Sequence, residues 1–253
     1  MVNYLSIDFE SWTYPNLPNF RTLNSQQRKK LDNGYVKESV EKILRILKSH
    51  QVKITFFVVS QLYDWYPEEI EKIAHEGHEI AYHTHTHDIL KTKEDLINTL
   101  KKSKKFLQRF KPLGFRAPTF LIREDYFPIL RDYGFKYDSS VYDDYSLKKV
   151  IDGVVEIPVS KMLNLPIGSG YFAAVLGKKI KKFYQRINQQ RKPVVSFVHN
   201  WQIIKPKNAS FPDWRFVLKH PLYFPYTLSI YQNFNFLLEN FSFAPMKNLI
   251  KGS

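Results

Sequence analysis

The sequence predicts an α/β fold in a single domain, a parallel sheet with helices packed outside it. Three observations carry this. β-branched and aromatic runs alternate with amphipathic stretches along the whole chain. No repeat, low-complexity tract or linker breaks the alternation. Residues with acid–base or metal-ligating chemistry fall at the C-terminal ends of predicted strands, the face that bears the chemistry in β/α barrels.

Val2 to Ile7 is a short apolar strand ending in Asp8-Phe9-Glu10. Residues 11 to 33, with Pro15, Asn16, Pro18 and Asn19 and then a basic patch, read as a long loop, and such loops are often functional. Tyr35 to His50 is helical, since Val36, Val40, Ile43, Leu44 and Leu47 recur at helical spacing. Val52 to Val59 is a central strand by its β-branched and aromatic content. Pro67 opens a helix to about His75, and Gly77 ends it. Glu79 to Tyr82 is a strand leading into His83-Thr84-His85-Thr86-His87.

Lys93 to Phe110 reads as one amphipathic helix. Gly114 to Thr119 is a short strand and turn, Tyr126 to Tyr133 a helix stopped at Gly134, and Phe135 to Asp138 and Val154 to Val159 are strands. Leu176 to Gln190 is a basic helix with Leu176, Ile180, Phe183, Tyr184 and Ile187 inward. Pro193 to Val198 is a strand running into His199-Asn200-Trp201. Residues 204–253 form an aromatic, basic extension that completes the barrel, with a helix near Tyr226 to Asn240 and a closing strand, Phe241 to Pro245. Residues 1–253 are thus read as one domain.

The 253 residues, 43% of them hydrophobic, suffice for one sizeable core. The absence of cysteine excludes disulfides and thiolate metal ligands. No basic segment and long apolar run precede the first strand, so no secretory signal is expected. No apolar run approaches the roughly 20 residues that span a bilayer. A cytoplasmic location, or one peripheral to a membrane, is the resulting expectation. The formal charge of +14 favours anionic partners. A phosphate-bearing sugar lipid or an anionic membrane surface ranks first. No nucleic-acid motif is present and no nucleic-acid partner is expected. The stretch Trp214-Arg215-Phe216, Lys219-His220 and Tyr223-Phe224-Pro225-Tyr226 could rest on a membrane interface or form the rim of the fold.

His83 and His87 lie four apart, so a turn brings both imidazoles to one point, and neutral imidazole is a common ligand for divalent ions. Asp8 and Glu10 share a face of an extended strand. One of them completes a three-ligand site for a metal-bound water, and the other is a general base. Taken alone, the two acids equally fit a solvated strand edge. Arg116 could orient the base carboxylate, and His199 is a candidate general acid. Asp138 could tune His199 or bind Arg116, or act as a cap.

These pieces, in this order, resemble the polysaccharide deacetylase family, the NodB-homology or carbohydrate esterase family 4 domain. The matching segments are Ser6-Ile7-Asp8-Phe9-Glu10, Ile54-Thr55-Phe56-Phe57-Val58, Gly77 to His87, Phe115-Arg116-Ala117-Pro118, Tyr137-Asp138-Ser139-Ser140 and Ser196-Phe197-Val198-His199. The resemblance implies a distorted (β/α)7 barrel and metal-dependent removal of an N- or O-acetyl group from a sugar. Carried over, it makes Asp8 the catalytic base, His83 and His87 metal ligands, Arg116 the support of the base, Asp138 a buried acidic partner and His199 the general acid. The commonest family pattern has two adjacent aspartates in the first motif. Here Phe9 follows Asp8, and Glu10 becomes the third ligand. Zn2+ is the expected ion, with Co2+, Mn2+, Fe2+ or Ni2+ as alternatives. Trp201, Tyr171 and Pro118 are expected to contact an acetylated sugar, and the Gly-rich run Leu165 to Phe172 to line the cleft. The rival readings are hydrolysis of a non-sugar amide such as a ureide or formamide, and a barrel that binds glycans without turnover.

Overall fold

The computed structural model describes residues 1–14, 20, 22–145, 148–207, 214–219, 224 and 227–250. Its strands are β1 (Val2–Phe9), β2 (Thr55–Val58), β3 (Glu79–Tyr82), β4 (Gly114–Phe115), β5 (Tyr137–Asp138), β6 (Tyr142–Asp143), β7 (Lys149–Ile151), β8 (Val154–Glu156), β9 (Val159–Ser160), β10 (Val195–His199) and β11 (Ser242–Ala244). The main sheet runs β10-β1-β2-β3-β4-β5-β8-β7 and is parallel except for the β7–β8 hairpin. β6 and β9 pair in parallel beyond β5 and β8 and continue that strand pair across a bulge.

The ring closes where the chain after β9 folds back. Gly168 N–H donates to Ser160 O (2.8 Å) and Phe197 N–H to Gly168 O (2.8 Å). Val195 N–H donates to Ser160 Oγ (2.9 Å). With β5–β6 and β8–β9 each taken as one stave, β1, β2, β3, β4 and β10 bring the total to seven. The fold is a distorted (β/α)7 barrel whose seam is closed by a turn instead of a full ladder.

Successive side chains on a strand point to opposite faces. Ile7 and Phe9, Phe56 and Val58, and Ile80 and Tyr82 pack outward, in the same core as Val40, Ile43 and Leu47 of the helix Tyr35–Ser49. Each such side chain contributes about 1.5–3 kcal/mol by leaving water. Phe57, Ala81, Tyr137, Val195 and Phe197 fill the barrel interior. Asp8 is in register with both Phe57 and His199 and therefore shares the inner face. The C-terminal extension braces the far end. β11 pairs with Val2 to Tyr4, Met246 N–H donates to Thr55 Oγ1 (2.8 Å), and Lys247 N–H to Glu79 Oε2 (2.9 Å).

Several elements differ from their sequence reading. The loop expected over residues 11 to 33 contains a helix, Ser25–Asp32, started by a reciprocal Asn24–Gln27 capping box. Pro15, Asn16, Pro18 and Asn19 lie outside the described residues. The helix expected over Lys93 to Phe110 is two, Lys93–Lys102 and Lys104–Phe110. The break at Ser103 lets its hydroxyl meet Tyr82 OH (2.8 Å) and Ser60 Oγ (2.7 Å). The basic helix begins at Ile180 and is preceded by a separate helix, Gly170–Leu176. In the extension, helices run Trp214–Lys219 and Tyr231–Asn240, while His220, Tyr223, Pro225 and Tyr226 lie outside the described residues. No helix among the described residues is long and apolar enough to cross a membrane.

The seam tests this architecture. A Cβ on Gly168 would lie 2.5 Å from Val195 O and 2.7 Å from Val159 Cγ1. Gly168→Ala should therefore cost about 1–3 kcal/mol, read as a lower denaturation midpoint with an unchanged slope. An unchanged midpoint would show that the seam has room to spare.

Candidate active site

The site forms because alternation along three strands turns the same face inward. Asp8 and Glu10 extend β1, His83 follows β3, and His199 ends β10. All four, with His87, line a cleft of about 560 Å³ at the C-terminal strand ends. Asp8 and His199 are direct partners across the β1–β10 pair.

Arg116 is fully buried beside them. Its Nη1 donates to Asp8 Oδ1 (2.6 Å) and Ser6 Oγ (2.9 Å), Nε to Ser139 O (2.8 Å) and Nη2 to Ser139 Oγ (2.9 Å). The guanidinium lies 4.0 Å from the centroid of Phe57 and 5.1 Å from that of Phe197. Asp8 is thus held in one orientation through a single oxygen.

Glu10 is 1% exposed. Its backbone is clamped by Asn200, which accepts from Glu10 N–H (3.0 Å) and donates to Glu10 O (2.9 Å). Trp201 Nε1–H donates to Glu10 Oε1 (2.9 Å). Burial pushes the Glu10 carboxyl up to about 8, against the Trp201 hydrogen bond and with the help of Asp8. Its Oε2 is buried and has no hydrogen-bond partner.

Burial holds both histidines of the turn in the neutral form, His83 below its ordinary value and His87 well below it. His83 Nδ1–H donates to Arg116 O (2.8 Å), which leaves the Nε2 lone pair for a ligand. His87 Nε2 stands 3.5 Å from Glu10 Oε2, and His87 Nδ1 is buried without a partner. Two donors on one tetrahedral ion stand about 3.4 Å apart when bonds are near 2.1 Å. Among the described residues no three such side chains close into a finished ligand cage. The donor set still suits a divalent cation in kind: two neutral imidazoles and one unsatisfied carboxylate oxygen.

The turn between the histidines places Thr84 and His87 at φ 60° and 59°. Non-glycine residues occupy this region only when their surroundings impose it. Asp88 imposes it here. It accepts from Thr86 N–H (3.0 Å), Thr86 Oγ1 (2.6 Å) and Thr99 Oγ1 (2.7 Å), and its own N–H donates to Thr84 Oγ1 (2.9 Å). His85 points away, with Nδ1 3.0 Å from Ser60 Oγ.

His199 stacks on Trp201, ring centroids 4.5 Å apart, and its Nδ1 lies 3.3 Å from Gln202 Oε1. Burial lowers it to about 4, so the resting ring is neutral. Phe120, Tyr142 and Phe197 continue an aromatic wall along the cleft, with Phe120 and Tyr142 stacked at 4.4 Å.

Residues 30–137 match the family model described as polysaccharide deacetylase, and residues 125–251 match one described as a domain of unknown function (DUF3473). The chain belongs to the family of the second model, and its residues 30–137 are similar to polysaccharide deacetylases. It is 39% identical over 103 residues to a peptidoglycan-N-acetylglucosamine deacetylase of Bacillus cereus, over 40% of this chain and 36% of that protein. It is 40% identical over 62 residues to the peptidoglycan-N-acetylmuramic acid deacetylase PdaA of Bacillus subtilis, over 24% of each. The matches therefore span about a third and a quarter of these relatives' lengths. A proposed polysaccharide deacetylase from Mycobacterium smegmatis superposes with a TM-score of 0.69 at 16% identity, covering 99% of this chain and 90% of that one. The last likeness is one of fold.

Of the residues singled out from the sequence, Asp8, Glu10, His83, His87, Tyr171, His199 and Trp201 line one cleft, and Arg116 supports Asp8 from beneath. Asp138 takes the cap reading and Pro118 stays out of the cleft. Asp138 is in register with Phe115, whose side chain faces the outer core, so it lies on the face away from the cleft. It accepts from Ser140 N–H (2.8 Å) and Oγ (2.7 Å) and hydrogen-bonds neither Arg116 nor His199. Ser140 Oγ in turn accepts from Ala117 N–H (2.8 Å), so Asp138 holds the turn that carries Arg116. Pro118 is buried, and its successors Thr119 and Phe120 line the cleft instead. Both sit at positive φ, 59° and 58°, which swings them toward it. From the Gly-rich run, Pro166, Ser169, Gly170 and Tyr171 line the cleft, but its end is helix, not loop.

Asn200, Gln202 and Asp88 escaped the sequence reading, although each sits within three residues of a residue it did single out. Asp88→Ala should cost about 1.5–3 kcal/mol by orphaning charge-assisted donors. It should also broaden the His83 and His87 ring signals in NMR spectra. Sharp, unshifted ring signals would mean that the turn holds itself.

Proposed function

We propose that the chain is a metal-dependent hydrolase that removes a small acyl group, an N-acetyl group first, from a sugar. The observation that carries this is the pairing of Asp8 and His199 across adjacent strands, in a cleft that Glu10, His83 and His87 also line. Zn2+ or a similar ion, held by Glu10, His83 and His87, would polarise the acyl carbonyl and lower the pKa of a bound water toward roughly 7. Asp8, aimed by Arg116, takes the proton of the attacking water. Charge developing on the acyl group raises the proton affinity of His199, which takes up the proton that Asp8 removed from the water and, as imidazolium, delivers it to the departing amine. Gln202 fixes the His199 tautomer through Nδ1. The Phe120–Tyr142 and His199–Trp201 stacks offer apolar faces to a sugar ring, and the peptidoglycan relatives support an N-acetylated hexosamine as the sugar.

Acetate release from N-acetylated chito-oligosaccharides, with and without EDTA, tests the reading. Asp8→Asn and His199→Ala should each lower kcat about 10²–10⁴-fold while the cleft still binds substrate. His83→Ala should abolish binding of Zn2+ in calorimetry. Full activity of His83→Ala in a metal-stripped preparation refutes the ligand assignment. A chain that binds these sugars but releases no acyl group from acetyl, formyl or ureide substrates is a glycan reader.

A further inference from the structure

Glu156, the last residue of β8, is a buried carboxyl that the proposed mechanism does not use. It is 2% exposed, and neither of its carboxyl oxygens meets a hydrogen-bond donor. It is in register with Asp138 of β5, so both side chains leave the sheet on the same, outer face. Asp138 is fully buried as well. Two ionised carboxylates are not stable side by side out of water unless a cation joins them. Among the described residues none does. Arg116, at the end of β4, directs its N–H groups to Ser6, Asp8 and Ser139. Lys149 of β7, opposite Glu156 in the β7–β8 pair, reaches out to Glu124 (3.1 Å). Arg131, on the helix Phe127–Asp132 that packs against β8, is exposed and pairs with Asp132 (2.9 Å).

The two carboxyls are within hydrogen-bond reach of each other. A carboxylate only accepts, so this contact is a hydrogen bond when one of the pair holds a proton. The donors around them decide which one. Asp138 Oδ2 accepts from Ser140 N–H (2.8 Å) and Oδ1 from Ser140 Oγ (2.7 Å), which favours the anion there. Burial, and then the charge of Asp138, push the Glu156 carboxyl up, and the Ser140 N–H and Arg116 oppose this without reversing it.

Asp138 in turn holds the support of the catalytic base. Ser140 Oγ accepts from Ala117 N–H (2.8 Å), and Ser139 accepts from Arg116 Nε through its O (2.8 Å) and from Nη2 through its Oγ (2.9 Å). Arg116 Nη1 then reaches Asp8 Oδ1 (2.6 Å).

We infer that Glu156 is a positioning residue that acts as a neutral acid: its hydroxyl donates to Asp138, and this bond fixes the Ser139–Ser140 turn through which Arg116 aims Asp8. The effect on turnover rests on the proposed hydrolase; the proton on Glu156 does not.

An infrared difference spectrum of the full chain at neutral pH, wild type minus Glu156→Gln, should show the C=O band of a carboxylic acid. In the unfolded chain Glu156 is ionised above its ordinary value of 4.5, so folding takes up a proton at neutral pH and stability is lost as pH rises. Denaturant unfolding from about pH 6 to about pH 8 should therefore show the wild-type folding constant falling about tenfold per pH unit relative to that of Glu156→Gln. Glu156→Gln keeps a donor for Asp138 and should hold kcat on N-acetylated chito-oligosaccharides within about twofold. Glu156→Met, of similar length but without a donor, should lower kcat about tenfold and leave KM unchanged. The Arg116 Nε–H, followed by NMR, should exchange with solvent about tenfold faster in Glu156→Met than in Glu156→Gln.

Absence of the acid band, or parallel pH curves for wild type and Glu156→Gln, overturns the inference. Both measurements need only these two proteins and stand even where Glu156→Met does not fold. Equal Arg116 Nε–H exchange in the Met and Gln variants overturns the positioning role. If no sugar is deacylated by any form, the hydrolase reading fails, while the band, the pH dependence and the Arg116 exchange still decide the role of Glu156.

Discussion

The guanidinium of Arg116 is the constraint on which the rest of the site depends. It is a large charged group with no exposure, sealed under the barrel mouth by Phe57 and Phe197. Burying such a charge is expensive unless its donors are used and a counter-ion is present. Ser6, Asp8 and both the backbone and side chain of Ser139 take four of its five N–H donors from two different staves. The Arg116 carbonyl also receives the His83 ring N–H. One residue thus fixes the angle of the acid on β1 and the tautomer of the first imidazole after β3. A lysine could not replace it, since a single ammonium lacks the fork that joins strand to turn.

Around this anchor the site is tuned by exclusion of water. Burial pushes Glu10 up and His83, His87 and His199 down, so all four favour their neutral forms. A divalent cation, if held there as proposed, would reverse that balance for Glu10 and meet both imidazoles of the turn already neutral. The scaffold that keeps the groups apart from one another, yet aimed at one volume, is made of short hydroxyl and amide contacts. Asn200 clamps Glu10, Gln202 holds His199, and Asp88 with Thr99 sets the left-handed turn of His87. The aromatic wall then supplies shape where the polar groups supply orientation.

Much of this could be read from the sequence, for definite physical reasons. Apolar alternation marked β1, β2, β3 and β10, and helical spacing marked Tyr35–Ser49 and Pro67–His75. The capping box Asn24–Gln27 was equally visible in the sequence but was lost among the prolines around it. The break at Ser103 was not visible, because a serine inside a helical pattern is neutral until Tyr82 and Ser60 are known to be its partners. Of the readings open for Asp138, the turn cap is the one found, because a strand end says only that a residue is near the chemistry. Register against Phe115 decides which face it takes.

The sequence by itself determined which side chains carry chemistry and that they sit at strand ends, because period-two and period-3.6 patterns are local properties of the chain. It also carried the likeness to polysaccharide deacetylases, since each motif is a short run of neighbouring residues. Only the tertiary structure decided that β1 lies between β2 and β10, which sets Asp8 against His199, and that the seam closes through Gly168. Those pairings join residues far apart in the chain, and no local pattern encodes a register between distant strands. The neutral state of the site belongs to the same category, because burial is a property of the assembled barrel.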